Sequence, residues 1–412
     1  MSTQRVSIED LRPGMFIAKL DLSWFRSPFM RHSFLIEEQA QIDKLRRVGV
    51  QFVDVDPNRS IVASNEMTDL SRVDALDSGR HPAAPARHLK SLNQLAEEMA
   101  QARIARNQLE QAVRSVFSGI TRSGTVSPQQ ARETVQEITI TARTLSNSAM
   151  FMALSQNRDG DAGLSQHALS ACTLSLVLGQ TFGFNPLELN ELATAALLHD
   201  IGLLQIPAPI LKRSATTSHP LSPREREQFQ SHPRLSVAML EREKGFAASV
   251  LHLIGEHHAW LDGSGYPPET RGEFTSDRTR ILAITDRYDE LITGFGGATP
   301  LAPYQALQRL YREGQEGKLD KEILSRFIKT VGIYPVHSYV RLNTKELAVV
   351  TDLNPSRLHQ PVVTVTHEPG GNTYPAPFVV NLAVQDAQPP ERVIDAVLDT
   401  APGLAAGHAH AA

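Results

Sequence analysis

Among the histidine and aspartate residues between positions 167 and 286, seven are candidate metal ligands by residue type and sequence context. Neutral imidazole and ionised carboxylate are the groups that iron, manganese and zinc accept as ligands in proteins. Two of the seven, His199 and Asp200, are adjacent in AALLHDIG, and such neighbours can let one carboxylate reach two ions. We therefore predict a site for more than one divalent metal ion. The seven residues are His167, His199, Asp200, His232, His257, His258 and Asp286.

The sequence around these residues places them on helices that face a hydrophobic core. His167 shares one helical stripe with Leu174 and Leu178, so its imidazole should point inward. Asp200 follows an apolar helical run, and burying an aspartate without a partner costs several kcal/mol. A metal ion is the natural partner. A core residue without a metal is the alternative for each of these positions taken alone.

The other members of the set whose context is informative are a histidine pair and an aspartate. His257 and His258 would diverge by about 100° on a helix, so they can serve two metals, or one metal and one substrate phosphate. Asp286 should face inward on a helix over residues 277–294, where Asp289 is either a support for it or a surface acid. Two histidines that lack partners at a suitable spacing are left outside the set: His219 and His252.

Metal ions held a few ångströms apart would hydrolyse a phosphate ester, because they activate water and clamp the oxygens of an in-line displacement at phosphorus. The segment DGSGYPPETRGE, residues 262–273, follows the histidine pair, and its glycines and consecutive prolines cannot continue a helix. We expect a fixed loop beside the histidines, where Tyr266 can stack on a base or bind a phosphate. A purely structural turn is the alternative.

Helix start signals indicate how the ligands are positioned. The sequence NPLE from Asn185 predicts a capped helix that runs to Gly202. The sequence SPRE from Ser222 repeats this signature. Its helix should be interrupted at His232, because the residue before a proline avoids the α conformation. The predicted site is therefore built from short helices that carry ligands at their ends.

Composition and hydrophobic pattern predict a mainly α protein in several parts. Residues 89–156 have helical spacing and form a stalk, a dimerising pair that would make a homodimer, or the first helices of the catalytic bundle. The predicted order is a small α/β domain (1–60), a linker (61–88), this helical connecting region (89–156), a helical catalytic domain (157–335), a β-rich extension (336–398) and a disordered tail (399–412).

The overall composition excludes several classes of protein. A formal charge of −4 over 412 residues offers no general attraction to nucleic acid polymers or anionic membranes. The single cysteine, Cys172, excludes an intramolecular disulfide framework and fits a reducing compartment. No segment has the apolar length of a signal peptide core or a membrane span. We therefore expect a cytoplasmic protein.

The order and spacing of these motifs resemble the HD-GYP family of bacterial metallohydrolases, which degrade the second messenger cyclic di-GMP. The matching pieces are AALLHDIG, the isolated His232, HHAWLDGSGYP, the RIL that begins at Arg280, and ITDRYDEL. The opening segments LRPGMFIAKLDLSWFRSPF and FVDVDPNRS also look like the domain that often precedes HD-GYP units. The resemblance covers about residues 160–335 and implies an HD-type helical bundle.

The resemblance implies roles that the residues alone do not show. All seven candidate residues would bind two divalent ions, iron or manganese, with Asp200 as the bridging and catalytic residue. The product would be linear pGpG, which some members of the family cleave onward to GMP. Diguanylate cyclase (GGDEF) domains or effector proteins would be partners. The residues expected beside the substrate are Gly265, Tyr266, Pro267 and Arg280.

Four departures from the family pattern raise a competing hypothesis. Leu203 stands where the family usually has a lysine that meets the substrate phosphate, and Ala259 stands where it usually has a glutamate. Gly163 replaces the glutamate of trinuclear members, which favours two metals, and GFGGATPLAPY lacks the usual arginines. The alternative is a catalytically attenuated protein that acts as a cyclic di-GMP sensor or signalling scaffold. A hydrolase for another nucleotide is a third hypothesis.

Overall fold

The computed structural model describes residues 4–8, 11–12, 15–20, 34–36, 42–43, 45–46, 50, 52–55, 92–145, 163–214, 220–270, 272–295, 298–354, 356–385 and 391–398. The chain forms two compact units, Met1–Arg72 and Val73–Ala412. The predicted linker (61–88) and tail (399–412), together with His219, lie outside the described residues.

The first unit contains a four-stranded antiparallel sheet in the order β1-β4-β2-β3. Its buried core combines sheet residues such as Ile17 and Val53 with Ile42 and Leu45, which lie in short helical segments. This small mixed unit agrees with the α/β N-terminal domain predicted from the sequence. Its strands are β1 (Gln4–Ser7), β2 (Phe16–Leu20), β3 (Phe34–Leu35) and β4 (Phe52–Val55).

The second unit is a helical bundle followed by a sheet, so the mainly α fold class is confirmed. Within the described residues its helices are α1 (Leu92–Ser123), α2 (Pro128–Thr144), α3 (Leu164–Thr181), α4 (Pro186–Leu198), α5 (Ala208–Leu211), α6 (Pro223–Gln230), α7 (His232–Glu241), α8 (Ala248–Glu256), α9 (Asp277–Thr293), α10 (Pro303–Gln315) and α11 (Lys321–Val331). Short 3₁₀ helices span Ile201–Gln205 and Gly272–Phe274.

Helices α1 and α2 pack against the bundle. Both contact α3, and α2 also contacts α4. Val113 and Val116 of α1 and Val135 of α2 are buried. The side chain of Ser127 caps α2 by accepting a hydrogen bond from the backbone N–H of Gln130, which satisfies one free donor of its first turn. The helices of the predicted connecting region are therefore the first helices of this unit.

Helix α3 lies at the centre of the bundle, where it is buried on every side from His167 to Gly179. A helix that is apolar all round must be enclosed by others. Helix α4 packs against it and begins with the predicted capping box, in which Asn185 and Glu188 cap each other's backbone N–H. These two helices carry or precede three of the seven candidate ligands.

Helix α4 ends at Leu198, so the prediction that it continues to Gly202 was wrong. The chain turns at residues 199–200 and continues as a 3₁₀ helix that packs on α7. A Cβ at Gly202 would lie only 2.2 Å from the carbonyl oxygen of His232, so glycine is required at this close approach. Contact with a distant helix, which has no local signal, ends α4 here.

The other predicted helix boundaries are confirmed. The box of Ser222 and Glu225 caps α6, and the break falls between α6 and α7, with Pro233 in the first turn of α7. Helix α9 ends at Gly294, whose φ of 70° places it in the left-handed conformation typical of a helix C-terminus.

The predicted β-rich extension is a five-stranded antiparallel sheet in the order β8-β7-β6-β5-β9. Its strands are β5 (Tyr339–Leu342), β6 (Leu347–Asp352), β7 (Val362–His367), β8 (Thr373–Asn381) and β9 (Ile394–Leu398). Among the helices of the described residues, none combines the length and apolarity needed to cross a membrane.

Candidate metal centre

The bundle brings all seven candidate ligands together in its interior. His167 comes from α3, His232 from the start of α7, and Asp286 from the middle of α9. The other four lie in turns that directly follow α4 and α8. Six of the seven are at most 4% exposed, and the side chain of His258 is 12% exposed. The residues form two groups in which one ligand atom from each member lies within 4.8 Å of the others.

The first group consists of His167, His199 and Asp286. The Nε2 atom of His167 lies 3.0 Å from Oδ1 of Asp286, and Nε2 of His199 lies 3.4 Å from the same oxygen. The two Nε2 atoms are 3.2 Å apart. Two imidazole nitrogens and one carboxylate oxygen therefore converge on a single point between α3, α4 and α9.

The second group consists of Asp200, His232, His257 and His258. The Nε2 atom of His232 lies 3.0 Å from Oδ1 of Asp200, and Nε2 of His257 lies 3.6 Å from it. These two nitrogens are 3.4 Å apart. This group contains more imidazoles than the first and has the more exposed member, His258.

The carboxylate of Asp200 faces both groups. While Oδ1 lies in the second group, Oδ2 is 3.5 Å from Nε2 of His167 and 3.6 Å from Nε2 of His199. The carboxylate of Asp286, a member of the first group, also approaches the second group, since its Oδ2 lies 3.8 Å from Nδ1 of His258. The two groups therefore form one continuous centre with Asp200 between them.

The outer nitrogens of four imidazoles are held by hydrogen bonds. Nδ1 of His199 donates to the carbonyl of Ala196 at 2.9 Å, and Nδ1 of His257 donates to that of Ile254 at 2.7 Å. His232 makes the same bond, at 2.9 Å, to Phe229. His167 instead uses Asp289, whose Oδ2 is 2.8 Å from Nδ1. Carbonyl and carboxylate oxygens only accept, so Nδ1 carries a proton, and in the neutral form of each imidazole Nε2 presents a lone pair to the centre.

These lone pairs identify the group that the centre fits. Pairs of Nε2 atoms face each other at 3.2 and 3.4 Å, and when both imidazoles of a pair are neutral, their lone pairs repel each other unless a cation lies between them. Oδ1 of Asp200 is buried and, within the described residues, accepts no hydrogen bond. A buried carboxylate oxygen without a donor is costly. The donor set of imidazole nitrogens and carboxylate oxygens fits divalent metal ions.

Electrostatics hold most of the centre in its ligand form. Burial raises the pKa of Asp200, but the neighbouring histidines outweigh it and hold that pKa well below its usual range. Burial and the charge of His257 lower the pKa of His258 well below its ordinary value, so this imidazole is neutral. Burial alone would lower the pKa of His167, but Asp286 and Asp289 raise it well above its ordinary value.

The loop that contains Gly265, Tyr266 and Pro267, called the GYP loop below, lies beside the second group. A Cβ at Gly265 would lie 2.1 Å from the carbonyl oxygen of His258, so only glycine fits. The backbone N–H of Tyr266 donates to this carbonyl at 3.0 Å, and the tyrosine ring lies 4.5 Å from the His258 ring, centroid to centroid. Pro267 follows directly. The loop therefore presents Tyr266 at the edge of the metal centre.

Arg280, predicted to lie beside the substrate, is occupied by protein contacts. Its Nη1 pairs with Asp320, the N-cap residue of α11, at 3.0 Å, and its Nη2 donates to the carbonyl of Glu273 at 3.0 Å. Its Nε donates to Thr275 at 3.4 Å. The structure thus shows Arg280 joining the end of the loop to α11, and among the described residues it has no contact with the seven ligands.

Three residues of the centre were missed or left undecided by the sequence. Asp289 is fully buried behind His167, and its spacing of three from Asp286 was the only signal for it. Ser236 accepts the N–H of Gly202 and donates to the carbonyl of His199, which ties the turn to α7. A third, Phe295, stacks on His167 with centroids 4.5 Å apart. The excluded His252 has a side chain that is 82% exposed.

Comparison with known proteins adds two family matches. Residues 161–323 match the family described as "HD domain", and residues 3–131 match the "Domain of unknown function (DUF3391)". The first match contains all seven candidate ligands. The second match spans both the N-terminal sheet and helix α1.

Similar proteins include enzymes from two bacteria and one solved structure. "Cyclic di-GMP phosphodiesterase PA4108" of Pseudomonas aeruginosa is 28% identical over 370 residues, covering 88% of this chain and 84% of that protein. "Cyclic di-GMP phosphodiesterase PdeB" of Borreliella burgdorferi is 25% identical over 197 residues, covering 48% and 50%. Bd1817, an HDG"Y"P protein from Bdellovibrio bacteriovorus, aligns with a TM-score of 0.46 at 16% identity, covering 79% and 98%.

Proposed function

We propose that this protein, which carries an HD domain behind a DUF3391 domain, is a metal-dependent phosphodiesterase that hydrolyses cyclic di-GMP to linear pGpG. The observation that carries the proposal is the pair of ligand groups that share Asp200, with lone pairs converging from both sides. The similarity to enzymes named cyclic di-GMP phosphodiesterases supports the choice of substrate.

We assign one divalent ion to each ligand group, iron or manganese in both cases. His167, His199 and Asp286 would hold the first ion, and the three histidines of the second group would hold the other, with one oxygen of Asp200 directed at each. When bound, such ions supply an activated water and stabilise charge on the phosphoryl oxygens. Gly163, at the N-terminus of α3, offers no side chain for a third ion.

The protein residues orient the ligands and keep the centre dry. The Nδ1 hydrogen bonds fix the orientation of each imidazole, so that Nε2 does not have to reorient when a metal ion binds. Burial and the charge of Glu290 raise the pKa of Tyr266 well above its ordinary value, so its hydroxyl keeps its proton at neutral pH. That O–H can therefore donate to a substrate phosphate at the exposed side of the centre.

Leu203 favours a second candidate function. It is only 2% exposed and packs in an apolar cluster with Ile206 and Ile210. Leu203 therefore supplies no cation at the position where the family resemblance expects a lysine. A catalytically attenuated protein that binds cyclic di-GMP as a sensor, or that scaffolds GGDEF domains or effectors, would tolerate this loss.

Turnover by protein of known metal content separates these candidates. The protein is purified anaerobically, reconstituted with iron(II) or manganese(II), and assayed for cyclic di-GMP hydrolysis with product identification. The Asp200→Asn variant removes the shared charge at constant shape, and Asp277→Asn, an exposed position of α9, is the matched control. We expect about two ions per chain and turnover that only Asp200→Asn abolishes. Full metal occupancy without turnover would reject the enzyme and, with retained cyclic di-GMP binding, support the sensor.

A further inference from the structure

Helix α9 carries another carboxylate, that of Glu290, in addition to those of Asp286 and Asp289. Glu290 lies four residues after Asp286, so both side chains lie on the same side of the helix. Oε2 of Glu290 accepts a hydrogen bond from Nη1 of Arg287 at 2.9 Å. In the described part of the chain, its other oxygen, Oε1, accepts no hydrogen bond. The carboxylate is 24% exposed, so a ligand can reach it.

Arg287 is held rigidly beside this carboxylate. Its Nε and Nη2 donate to the two oxygens of Glu313 at 3.2 and 2.9 Å, and Glu313 on α10 is only 2% exposed. Arg309 also pairs with Glu313, so Arg287 does not have to neutralise that buried charge alone. A guanidinium has five N–H groups. Among the described residues Arg287 uses three of them, one to Glu290 and two to Glu313, which leaves one N–H donor on each Nη atom.

The position of this pair on α9 places it beside the metal centre, because Arg287 directly follows the candidate ligand Asp286 and Glu290 lies about one helical turn after it. Burial and the charge of Asp286 raise the pKa of Glu290 to about 7. The charge of Glu290 in turn contributes, after burial, to the raised pKa of Tyr266. Both pKa shifts agree with a position of the Glu290 carboxylate on the side of α9 that carries Asp286.

A free carboxylate oxygen next to free guanidinium N–H groups matches one edge of guanine. Guanine presents N–H donors at N1 and N2 beside the acceptor O6, whereas adenine presents an acceptor at N1 and a donor at N6. We infer that Glu290 and Arg287 read a guanine base of the substrate, Glu290 accepting from its N–H groups and Arg287 donating to O6. This inference rests on the proposed function, because it needs a guanine dinucleotide at the metal centre.

The test uses full-length, metal-loaded protein at pH 8, where the Glu290 carboxyl is ionised. Glu290→Gln keeps the shape but replaces one of the two carboxylate oxygens with an NH2 group that donates and cannot accept. Glu290→Asp keeps the acceptors, and Glu316→Gln, at a side chain that is 53% exposed, is the matched control. For each variant, kcat and KM are measured with cyclic di-GMP and cyclic di-AMP, and Kd is measured by calorimetry with GMP and AMP, which contain no phosphodiester.

We expect Glu290→Gln to reduce kcat/KM for cyclic di-GMP roughly 10- to 100-fold, mainly through KM, and to reduce the preference for GMP over AMP by a similar factor. Glu290→Asp should restore part of the preference, and Glu316→Gln should leave it unchanged. An equal loss for guanine and adenine ligands, or an unchanged preference, would overturn base recognition while leaving the hydrolase intact. Wild-type protein that neither binds nor cleaves any of the dinucleotides would instead reject the proposed function itself.

Discussion

Replacing Asp289 with asparagine should weaken metal binding by one ligand group and leave the other group unchanged. Asp289 contacts the candidate ligand His167, whose Nδ1 lies 2.8 Å from Oδ2 of Asp289. Both side chains are fully buried, so water cannot replace the lost interaction. The asparagine oxygen keeps an acceptor in place but removes the charge that makes the imidazole a strong donor to metal.

The size of this effect follows from the position of Asp289 behind a ligand. Removing a carboxylate that supports a ligating histidine typically costs roughly 10- to 100-fold in metal affinity, or about 1.4–2.7 kcal/mol. The cost should fall on the group of His167, His199 and Asp286. The group around His232 has no contact with Asp289 among the described residues and keeps its own carbonyl supports.

Competition of manganese(II) or iron(II) against a chelator of known affinity measures both binding steps. In the variant, one step should weaken by the stated factor and the other should stay within error of wild type. Asp277→Asn is the control, because it removes an exposed carboxylate from the same helix, roughly 18 Å away along its axis. Two unchanged steps, or two steps that weaken equally, would refute the role of Asp289 as a support for His167.

Three further predictions test the packing, the loop and the protonation of the centre. Leu203→Ala should lower the free energy of unfolding by about 2–5 kcal/mol in chemical denaturation, because it leaves a cavity in an apolar cluster. Leu204→Ala, at a residue that is 39% exposed, should lower it by less than about 1 kcal/mol. Equal losses in the two variants would contradict this prediction. Gly265→Ala should reduce turnover at least tenfold with metal content retained, because its Cβ would lie 2.1 Å from a main-chain carbonyl oxygen. Gly370→Ala is the control and should leave turnover unchanged, because a Cβ there meets nothing within 4 Å. Retained activity in both variants would show that the loop can shift. The raised pKa of His167 keeps its imidazole protonated in the metal-free protein at neutral pH, so metal binding should release protons and should weaken as the pH falls. Calorimetry in buffers of different ionisation enthalpy measures this proton release. A binding enthalpy that does not depend on the buffer would reject the prediction.

Local signals in the sequence were sufficient for most of the fold. The capping residues Asn185 and Ser222, Pro233 and the glycine at 294 act through hydrogen bonds and steric limits within a few neighbouring residues. The alternating pattern after residue 335 likewise depends only on which face of a strand is buried. Such signals are complete in the sequence, so the element types that they predict are confirmed by the structure.

The end of α4 shows where local signals stop. The apolar run continues to Gly202, but the helix ends at Leu198 because the next residues pack on α7. Ser236, which ties the two segments together, lies 34 positions after Gly202. Leu203 is likewise buried by residues from several segments. No pattern within a short window records contacts of this kind.

The sequence by itself determined the chemical types of the seven candidate ligands and the helices that carry or directly precede them. Only the tertiary structure decided that they divide into groups of three and four, that the two oxygens of Asp200 face opposite groups, and that Asp289 lies behind His167. It also turned Arg280 toward Asp320. Residue types and helix periodicity depend on neighbours along the chain. Distances of 2.8 and 3.2 Å between side chains that are 122 and 32 positions apart depend on how the helices pack.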